Sequence, residues 1–508
     1  MTQLGKVYII GAGPGDPGLF TLRGVQCLRE ADCVIYDHLV NPGLLSHAVK
    51  KPQLIYAGKQ GGDHTLPQDE LNRLLVAKAK TGAIVARLKG GDPFIFGRGS
   101  EEAEALKEAG IPFEVVPGIS SAVAVPAYAG IPLTHRGHTT TVAFVTGHED
   151  PTKGKSGLDW TALAKIGTLV FLMGVKTLPL IAENLIRCGK APETPASLIR
   201  YGTTPDQETL TATLAGIAAK AEAQGFTPPS LLVVGTVVNL REILRWFETR
   251  PLFGLGIVVT RPEAQAGELN DLLTAAGARV IPFPVIAIAP PEDMTPLDTA
   301  MERLPSYHWL IFTSANGVVA FFRRLREKGK DVRDLKGIRI ATIGPATAAA
   351  IEARGLSVDL VPESFISEGV VADFSKEDLK GCRILLPRAA EARNVIPEGL
   401  TQQGAKVDAV VAYRTVRTEK QASELTNLFV GGKINCITFT SPSTVTHFLE
   451  IMGTDFQMPA KVKTACIGPV TAAAARKAGL TIDILQEHYT IPGLVDAMIA
   501  HFTEEGRA

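Results

Sequence analysis

Short apolar runs alternate along the whole chain with longer segments in which apolar residues recur at helical spacing. The apolar runs predict strands at 7–10, 33–36, 84–88, 113–116, 142–146, 168–173 and 231–234. The segments between them, such as 101–109, carry charged residues at the remaining positions. Alternating strand and helix patterns are typical of α/β layers on mostly parallel sheets, so we predict an α/β fold throughout.

A domain boundary is predicted where one helical pattern ends. The pattern over 240–250 runs into Pro251, which cannot continue a helix, and a new strand pattern follows at 257–260. We therefore predict an N-terminal domain over 1–245 and a C-terminal domain over 254–508.

The C-terminal domain contains an internal repeat, 254–367 and 381–490. A shift of 127 residues aligns 254–261 with 381–388, and it also aligns Phe312-Thr-Ser with Phe439-Thr-Ser. A shift of 124 then aligns Ile343-Gly-Pro with Ile467-Gly-Pro. Two related α/β units create a cleft between them, and such clefts are favoured ligand sites.

Composition and charge narrow the classes of partner. The chain has 508 residues, of which 45% are hydrophobic, enough for several domains. Its 52 basic and 52 acidic residues balance, so no global field attracts nucleic acid or an anionic membrane. No apolar stretch approaches the ~18 residues of a membrane span, and residues 7–10 predict a strand rather than a signal peptide. Six scattered cysteines without a CxxC pair favour a reducing compartment. We expect a cytoplasmic protein that binds neither nucleic acid nor membrane.

Two glycine-rich loops follow predicted strands. The first is Gly11-Ala-Gly-Pro-Gly-Asp-Pro, where Asp16 replaces the last glycine of a dinucleotide fingerprint and excludes that interpretation. The second, over 87–99, is Arg-Leu-Lys-Gly-Gly-Asp-Pro-Phe-Ile-Phe-Gly-Arg-Gly. Ligands bind at the carboxyl ends of strands in open α/β sheets, so both loops are expected to share one site. There Asp92 can accept hydrogen bonds from a ribose or an amino group, and Arg98 can bind a carboxylate. A pair of tight turns without a ligand is the alternative.

These loops and five further motifs resemble the uroporphyrinogen-III C-methyltransferases of the tetrapyrrole methylase family, over about 4–245. The further motifs are 36–40, Gly58-Lys59, 116–122, 129–136 and 144–148. The resemblance implies a two-lobed α/β fold, a homodimer, and methylation of uroporphyrinogen III at C2 and C7 to precorrin-2. S-adenosyl-L-methionine is the implied methyl donor, leaving S-adenosyl-L-homocysteine. His135 and His138 lack the partners of a metal site, and no metal is expected.

The resemblance also implies individual roles. Asp37 matches the family's proton acceptor and Lys59 its proton donor. The implied cofactor-binding positions are Pro14, Gly90, Gly91, Asp92, Ile95, Ser120, Ser121, Met173 and Gly202. The chain departs from the family pattern at Ser120-Ser121, where many relatives have Thr-Ala, and in the Phe-Leu-Met173-Gly sequence.

Residues 254–508 resemble uroporphyrinogen-III synthases, through motifs that include Val259-Thr-Arg-Pro, Phe312-Thr-Ser, Val411-Ala-Tyr-Arg and Phe439-Thr-Ser. The resemblance implies two α/β lobes joined by extended segments, with about 255–288 packing with 417–505 and with 290–412 as the other lobe. It implies cyclisation of hydroxymethylbilane with inversion of ring D and loss of water, without a cofactor. Hydroxyl groups that could bind substrate carboxylates are those of Ser314, Thr347, Ser441 and Thr471.

Tyr413 matches the tyrosine that assists departure of the substrate hydroxyl in that family. Its counterpart in the repeat is Ile286, so the fold itself does not demand a phenol here. A buried tyrosine that only packs in the core is the alternative.

Together the two halves predict a bifunctional enzyme of tetrapyrrole biosynthesis that converts hydroxymethylbilane to precorrin-2. Both sirohaem and cobalamin remain open as end products. A trifunctional sirohaem synthase would need a further nucleotide-binding module, for which the chain before residue 11 leaves no room. The alternative is a methyltransferase whose C-terminal half binds tetrapyrrole without catalysis.

Overall fold

The computed structural model describes residues 4–58, 66–147, 157–486 and 488–505. Two compact units are present. One consists of residues 1–256, 273–279 and 502–508, and the other of 257–272 and 280–501. No helix among the described residues is long and apolar enough to cross a membrane.

The strands in chain order are β1 Lys6–Gly11, β2 Cys33–Tyr36, β3 Gln53–Tyr56, β4 Ile84–Lys89, β5 Phe113–Val116, β6 Val142–Thr146, β7 Thr168–Leu172, β8 Pro195–Arg200, β9 Glu208–Thr213, β10 Ser230–Val234, β11 Gly256–Val259, β12 Arg279–Pro282, β13 Ile286–Ala289, β14 Trp309–Phe312, β15 Arg339–Thr342, β16 Arg383–Ala389, β17 Lys406–Arg417, β18 Cys436–Phe439, β19 Lys463–Cys466 and β20 Ile484–Leu485. The helices are α1 Leu22–Glu30, α2 Gln68–Lys80, α3 Gly99–Glu108, α4 Ser121–Tyr128, α5 Trp160–Ala164, α6 Leu178–Arg187, α7 Ile217–Ala223, α8 Arg241–Leu244, α9 Gly267–Ala275, α10 Thr295–Glu302, α11 Ala315–Glu327, α12 Pro345–Glu352, α13 Ser367–Phe374, α14 Val395–Gln402, α15 Ala422–Val430, α16 Pro442–Met452, α17 Pro469–Lys477 and α18 Ile491–Glu505.

The first sheet of the first unit is parallel, with strand order β3-β2-β4-β1-β5. Strand β1, between β4 and β5, is buried on both faces: Val7 and Ile9 pack into one apolar cluster, and Tyr8 and Ile10 into another. A strand covered by helices on both faces reads as a continuous apolar run, which is why the sequence located it.

The second sheet of this unit has the order β6-β7-β10-β8-β9 and is mixed. Only β6 and β7 pair in parallel, whereas β7–β10, β10–β8 and β8–β9 are antiparallel. The prediction of mostly parallel sheets is therefore wrong for this layer. The short connection between β8 and β9 contains no crossover helix, and antiparallel neighbours need none.

The predicted helix over 240–250 is also wrong, because α8 ends at Leu244. The chain then turns and buries Phe247 against Tyr128 of α4, with the ring centroids 4.7 Å apart. Trp246 donates its indole N–H to the backbone carbonyl of Ala127 at 3.1 Å. The segment at the predicted domain boundary is thus packed into the first unit, which extends to Gly256.

The second unit exchanges strands between the two sequence repeats. Its first sheet has the order β12-β11-β18-β19-β20, and its second the order β13-β17-β16-β14-β15. Strands β11 and β12 belong to the first repeat, whereas β18 and β19 belong to the second. The other sheet combines β13, β14 and β15 from the first repeat with β16 and β17 from the second. Each sheet is therefore completed by residues from both repeats.

One strand departs from the lobe assignment predicted for this half. β13, within the predicted 255–288 segment, pairs antiparallel with the end of β17, with Ile286 opposite Arg417. It therefore belongs to the same sheet as 309–417, not to the sheet of β11 and β18. The two-lobed α/β architecture itself is confirmed in both halves.

Candidate active sites

The two glycine-rich loops of the first unit are hydrogen-bonded to each other. The N–H of Gly91 donates to the carbonyl of Gly13 at 2.7 Å, and the N–H of Gly13 donates to the carbonyl of Gly91 at 3.2 Å. The loops follow the neighbouring strands β1 and β4 at their carboxyl ends. The two loops therefore lie side by side at one edge of the sheet.

A third loop, after β5, packs directly on the other two through glycine backbones. A Cβ atom added to Gly118 would lie 2.3 Å from the carbonyl oxygen of Gly91 and 2.6 Å from the Cα of Gly11. No larger residue fits at Gly118 without moving the backbone. The result is a cradle of bare main chain at the carboxyl edge of the sheet.

Asp92 joins the second loop to the third. Its Oδ1 accepts from the N–H of Phe94 at 2.8 Å, and its Oδ2 accepts from the N–H of Gly118 at 3.0 Å. Each carboxylate oxygen still has a free lone pair, so Asp92 can brace the cradle and contact a ligand at once.

The loop after β1 also contacts the second lobe of this unit. The N–H of Asp16 donates to Oγ1 of Thr203 at 3.2 Å, and Tyr128 donates its hydroxyl to Oδ2 of Asp16 at 2.7 Å. Residues with left-handed backbone conformations are concentrated in the surrounding loops, at Phe96, Arg98, Met173, Tyr201 and Thr203. Such strain clusters at ligand-binding sites.

These contacts unite most of the positions assigned to the cofactor. Pro14 and Gly90–Asp92 lie in the clasped loops. Ser120, nearly fully buried, caps α4, and a Cβ on Gly91 would lie 3.6 Å from the N–H nitrogen of Ser121. Gly202 abuts the side chain of Val125 in α4. Ile95 lies farther along the second loop, and Met173 follows β7 with its side chain half exposed.

Asp37 lies at the end of a network of buried charges. Its Oδ1 is 2.6 Å from Nη2 of Arg87, a guanidinium that is 2% exposed. Oε1 of Glu102 lies 3.3 Å from Nε of Arg87 and 2.6 Å from Nζ of Lys89. Burial is the largest effect lowering the pKa of Lys89, followed by repulsion from Arg87. The network holds Asp37 in place, with about a third of its side chain open to solvent.

Two other predicted site residues of this half are Arg98 and Lys59. Arg98 is exposed and forms a bidentate pair with Glu101, both contacts being 2.8 Å, so a substrate carboxylate must compete with that partner. Lys59 lies outside the described residues. Among the residues that are described, no cluster of three or more histidine, cysteine or acidic side chains could hold a metal ion.

In the second unit, Tyr413 lies within β17, next to a β-bulge. Arg388 pairs with Val411 and Ala389 with Tyr413, so Ala412 is the extra residue. The hydroxyl of Tyr413 lies 2.9 Å from Oγ of Ser314, the residue that caps α11. Burial is the main cause of a raised pKa at Tyr413, so the phenol stays protonated at neutral pH. Bulges often re-aim side chains next to active sites.

The repeat places Ser441 where Ser314 lies in the other sheet. Ser441 caps α16, and its hydroxyl is 2.9 Å from that of Ser443. Thr347 and Thr471 occupy matching places in the first turns of α12 and α17, but both are at least 95% buried. Of the four hydroxyl residues, Ser314 and Ser441 are therefore the more accessible.

Sequence reasoning missed Glu102 and Arg261. Glu102 is one of several acidic residues in the sequence of α3, and no pattern separates it from its exposed neighbour Glu101. Arg261 belongs to the Val259-Thr-Arg-Pro motif, but the motif alone does not indicate that this residue lines the cavity described below.

Comparison with known proteins agrees with this division of the chain. The family model of tetrapyrrole (corrin/porphyrin) methylases matches residues 6–218, and that of uroporphyrinogen-III synthase HemD matches residues 267–496. The porphyrin biosynthesis protein HemD of Ruminiclostridium josui is 38% identical over 97% of this chain and 98% of its own length.

Two further relatives match the methylase half. The uroporphyrinogen-III C-methyltransferase of Bacillus subtilis is 41% identical over 71% of this chain and 74% of its own length. The S-adenosyl-L-methionine-dependent uroporphyrinogen III methyltransferase of Methanosarcina barkeri is 54% identical over 47% of this chain and 94% of its own length.

Proposed function

The chain belongs to the family of porphyrin biosynthesis proteins that join a tetrapyrrole methylase to a uroporphyrinogen-III synthase, and we propose that it catalyses two consecutive steps. The second unit cyclises hydroxymethylbilane to uroporphyrinogen III, with loss of water and inversion of ring D. The first unit methylates that product at C2 and C7 to precorrin-2. The observation that carries the proposal is the match to a porphyrin biosynthesis protein over nearly the full length of both chains.

The glycine cradle fits S-adenosyl-L-methionine. A Cβ atom at Gly11 or Gly118 would collide with neighbouring backbone, so these glycines let the three loops pack together and bring their main-chain groups to one edge of the sheet. Backbone groups of Gly90 and Gly91 and the carboxylate of Asp92 would hold the ligand. When bound, the cofactor supplies an electrophilic methyl group on a positively charged sulfur.

The protein's own contribution to methylation is positioning and removal of one proton. An electron-rich pyrrole carbon attacks the methyl group without further activation, so orientation matters most. Transfer would exchange the sulfur–methyl bond for a carbon–carbon bond and leave S-adenosyl-L-homocysteine, after which the alkylated ring must lose a proton. Asp37 is the proposed acceptor, since its carboxylate is partly open to solvent while Arg87 fixes its orientation.

In the synthase half, Tyr413 is the proposed general acid. The pyrrole nitrogen pushes out the hydroxymethyl oxygen, the carbon–oxygen bond breaks, and a proton from Tyr413 lets the oxygen leave as water. The raised pKa keeps the phenol protonated for this role. Hydroxyl groups of Ser314 and Ser441 would bind carboxylates of the curled substrate.

The direct test supplies the full chain with hydroxymethylbilane and S-adenosyl-L-methionine and follows masses and isomers. We expect the type III isomer first and then products heavier by one and two methyl groups. Formation of only the type I isomer, which arises without enzyme, would favour a C-terminal half that binds tetrapyrrole without catalysis.

Tyr413→Phe tests the general acid while keeping the ring in place. We expect the rate of type III formation to fall roughly tenfold, the low end for general-acid catalysis because the substrate supplies much of its own driving force. The matched control is Tyr307→Phe. Tyr307 is similarly buried and donates to Oδ2 of Asp408 at 2.6 Å. Equal synthase rates in the two variants would make Tyr413 a packing residue.

We further propose, from the resemblance of the N-terminal half, that the enzyme is a cytoplasmic homodimer formed through the methyltransferase domain. Light scattering of the full chain gives the mass that tests the dimer, and a monomeric mass at micromolar concentration would contradict it.

A further inference from the structure

A cavity of about 220 Å³ lies where the two sheets of the second unit meet. Its lining combines one guanidinium, several hydroxyl and amide groups, and two isoleucines from β13, without a carboxylate. The lining residues are Arg261, Pro262, Gln265, Ile286, Ile288, Asn316, Thr415, Thr440, Ser441, Ser443 and Thr444. One cation among neutral hydrogen-bond donors is the composition of an anion site.

Arg261 is the unpaired charge in this cavity. It follows β11 and is half-buried, yet no described residue forms a hydrogen bond or an ion pair with its guanidinium. Burial is the main cause of a lowered pKa at Arg261; the charge of Glu268, which does not line the cavity, acts in the opposite direction. Removing a guanidinium from water without a partner costs free energy, and a bound anion would recover it.

The repeat contains a second copy of this arrangement with which to compare it. Arg388 occupies the place of Arg261 in the other sheet, but its guanidinium is engaged. Nη1 of Arg388 donates to Oδ1 of Asn394 at 2.9 Å and to the carbonyl of Arg393 at 3.3 Å. Of the two equivalent arginines, Arg388 is therefore hydrogen-bonded within its own loop, whereas Arg261 remains available to a ligand.

The cavity is connected to the proposed general acid. Asn316 lines the cavity, and Nε2 of Gln265 donates to its Oδ1 at 2.5 Å. Asn316 follows Ser314 closely in the chain, and the hydroxyl of Ser314 lies 2.9 Å from that of Tyr413. In the repeat, the position of Tyr413 corresponds to Ile286, which lines the cavity itself. One sheet thus presents the phenol, and the other presents the free guanidinium.

We propose that this cavity is a carboxylate subsite, in which Arg261 anchors one acetate or propionate group of a linear tetrapyrrole and so positions the chain beside Tyr413. The proposal rests on the proposed synthase function. Ser441 and Ser443 supply hydroxyl donors to the same carboxylate, and Ile286 and Ile288 contact the pyrrole ring or its methylene carbons. Arg261 is a substrate-positioning residue in this scheme and transfers no proton.

The test compares Arg261→Met with its repeat counterpart Arg388→Met in the full chain. Loss of a charge-assisted hydrogen bond to substrate should raise KM for hydroxymethylbilane about ten- to a hundredfold in the Arg261 variant. The Arg388 variant should stay within about twofold, and Tyr413→Phe should lower kcat instead of raising KM. Arg261→Lys keeps the charge without the planar fork and should fall between wild type and Arg261→Met.

Two further measurements keep the outcomes distinct. The melting temperature of Arg261→Met should not fall, because no folded-state partner is lost; a large fall would make Arg261 structural and overturn the proposal. Binding of uroporphyrin, an octacarboxylate, is compared by calorimetry between the Arg261 and Arg388 variants, which share an unaltered methylase half. Equal affinities and equal KM values would refute the subsite. If wild type forms no type III isomer, the proposed function fails, while weaker uroporphyrin binding by the Arg261 variant would still establish an anion site.

Discussion

Replacing Glu102 by Gln removes the one fully buried negative charge beside Arg87 and Lys89. Glu102 is fully buried, and Arg87 and Lys89 are each about 95% buried or more. Glutamine keeps the volume and an acceptor oxygen, but it leaves two buried cations facing the single carboxylate of Asp37. Breaking a buried ion pair in this way typically costs about 3–5 kcal/mol. That is a large share of the roughly 5–15 kcal/mol that stabilises a typical domain.

The assay is denaturant unfolding of the full chain, with methylation and synthase rates measured in parallel. We expect only the transition of the first unit to move, since the network lies wholly within it. Methylation should fall as well, because Arg87 orients Asp37 and loses its other carboxylate partner, whereas the synthase rate should persist. The matched control is Glu101→Gln, the adjacent residue of α3. Glu101 and its partner Arg98 are both about half exposed, and such pairs contribute at most about 1 kcal/mol.

A second variant separates charge from packing. Replacing Lys89 by Met together with Glu102→Gln removes one charge of each sign, so much of the stability lost in the single variant should return. The reasoning is refuted if Glu102→Gln costs no more than Glu101→Gln. It is refuted also if the double variant is less stable than the sum of the two single changes.

Three further predictions follow from contacts described above. Asp92→Ala should weaken S-adenosyl-L-homocysteine binding by about 1–3 kcal/mol in calorimetry, because two backbone N–H groups of the cradle lose their acceptor, and unchanged affinity would remove Asp92 from the site. Arg23 and then Lys6 lower the pKa of Glu114 to about 2, and Arg324 lowers that of Asp298 to about 2, so each carboxylate stabilises the fold above its ordinary pKa. Each partly exposed carboxylate should contribute up to about 1 kcal/mol of stability, which is lost as the pH falls towards 2. Glu114→Gln and Asp298→Asn should lack this pH-dependent contribution. Parallel curves of unfolding free energy against pH for variants and wild type would contradict the prediction. A fragment of residues 1–256 should melt higher than one of residues 1–245, which lacks buried Phe247 and Leu252, whereas equal melting temperatures would restore the boundary predicted from the sequence.

The sequence located best the strands that form a short, largely apolar run. The bounds predicted for β2, β5 and β6 agree with the structure, because each is a short apolar run between polar turns. β9, Glu-Thr-Leu-Thr-Ala-Thr, was missed because only Leu210 among its residues is buried, so it lacks a continuous apolar signal. Local composition therefore reveals a strand only where its residues form an apolar run, as in β2 and β6, and the threonine-rich β9 has none.

The sequence predicted those parts of the candidate sites that lie in glycine-rich loops at the ends of strands. The pairing of Gly13 with Gly91 follows from the adjacency of β1 and β4, which two loops after parallel strands indicate. The buried pair of Glu102 and Arg87 could not be predicted, since their proximity depends on how α3 packs against the sheet. Tertiary packing also explains why the helix ends at Leu244 despite the helical pattern that continues beyond it. The chain turns there and packs Phe247 against Tyr128, a contact that the local sequence does not reveal.

The exchange of strands between repeats has a consequence for how the second unit is made. The sheet of β13 to β17 is encoded by the continuous segment 286–417, so it can close as soon as that segment leaves the ribosome. The other sheet is interrupted by it: Val258 in β11 accepts a hydrogen bond from Thr438 in β18, 180 residues later. At about 5–20 residues per second, β11 waits roughly 10–40 s for its partner. Throughout that interval its apolar residues form an unpaired strand edge, the kind of surface on which nascent chains aggregate. Strand β11 is therefore the part of the nascent second unit that must be shielded longest.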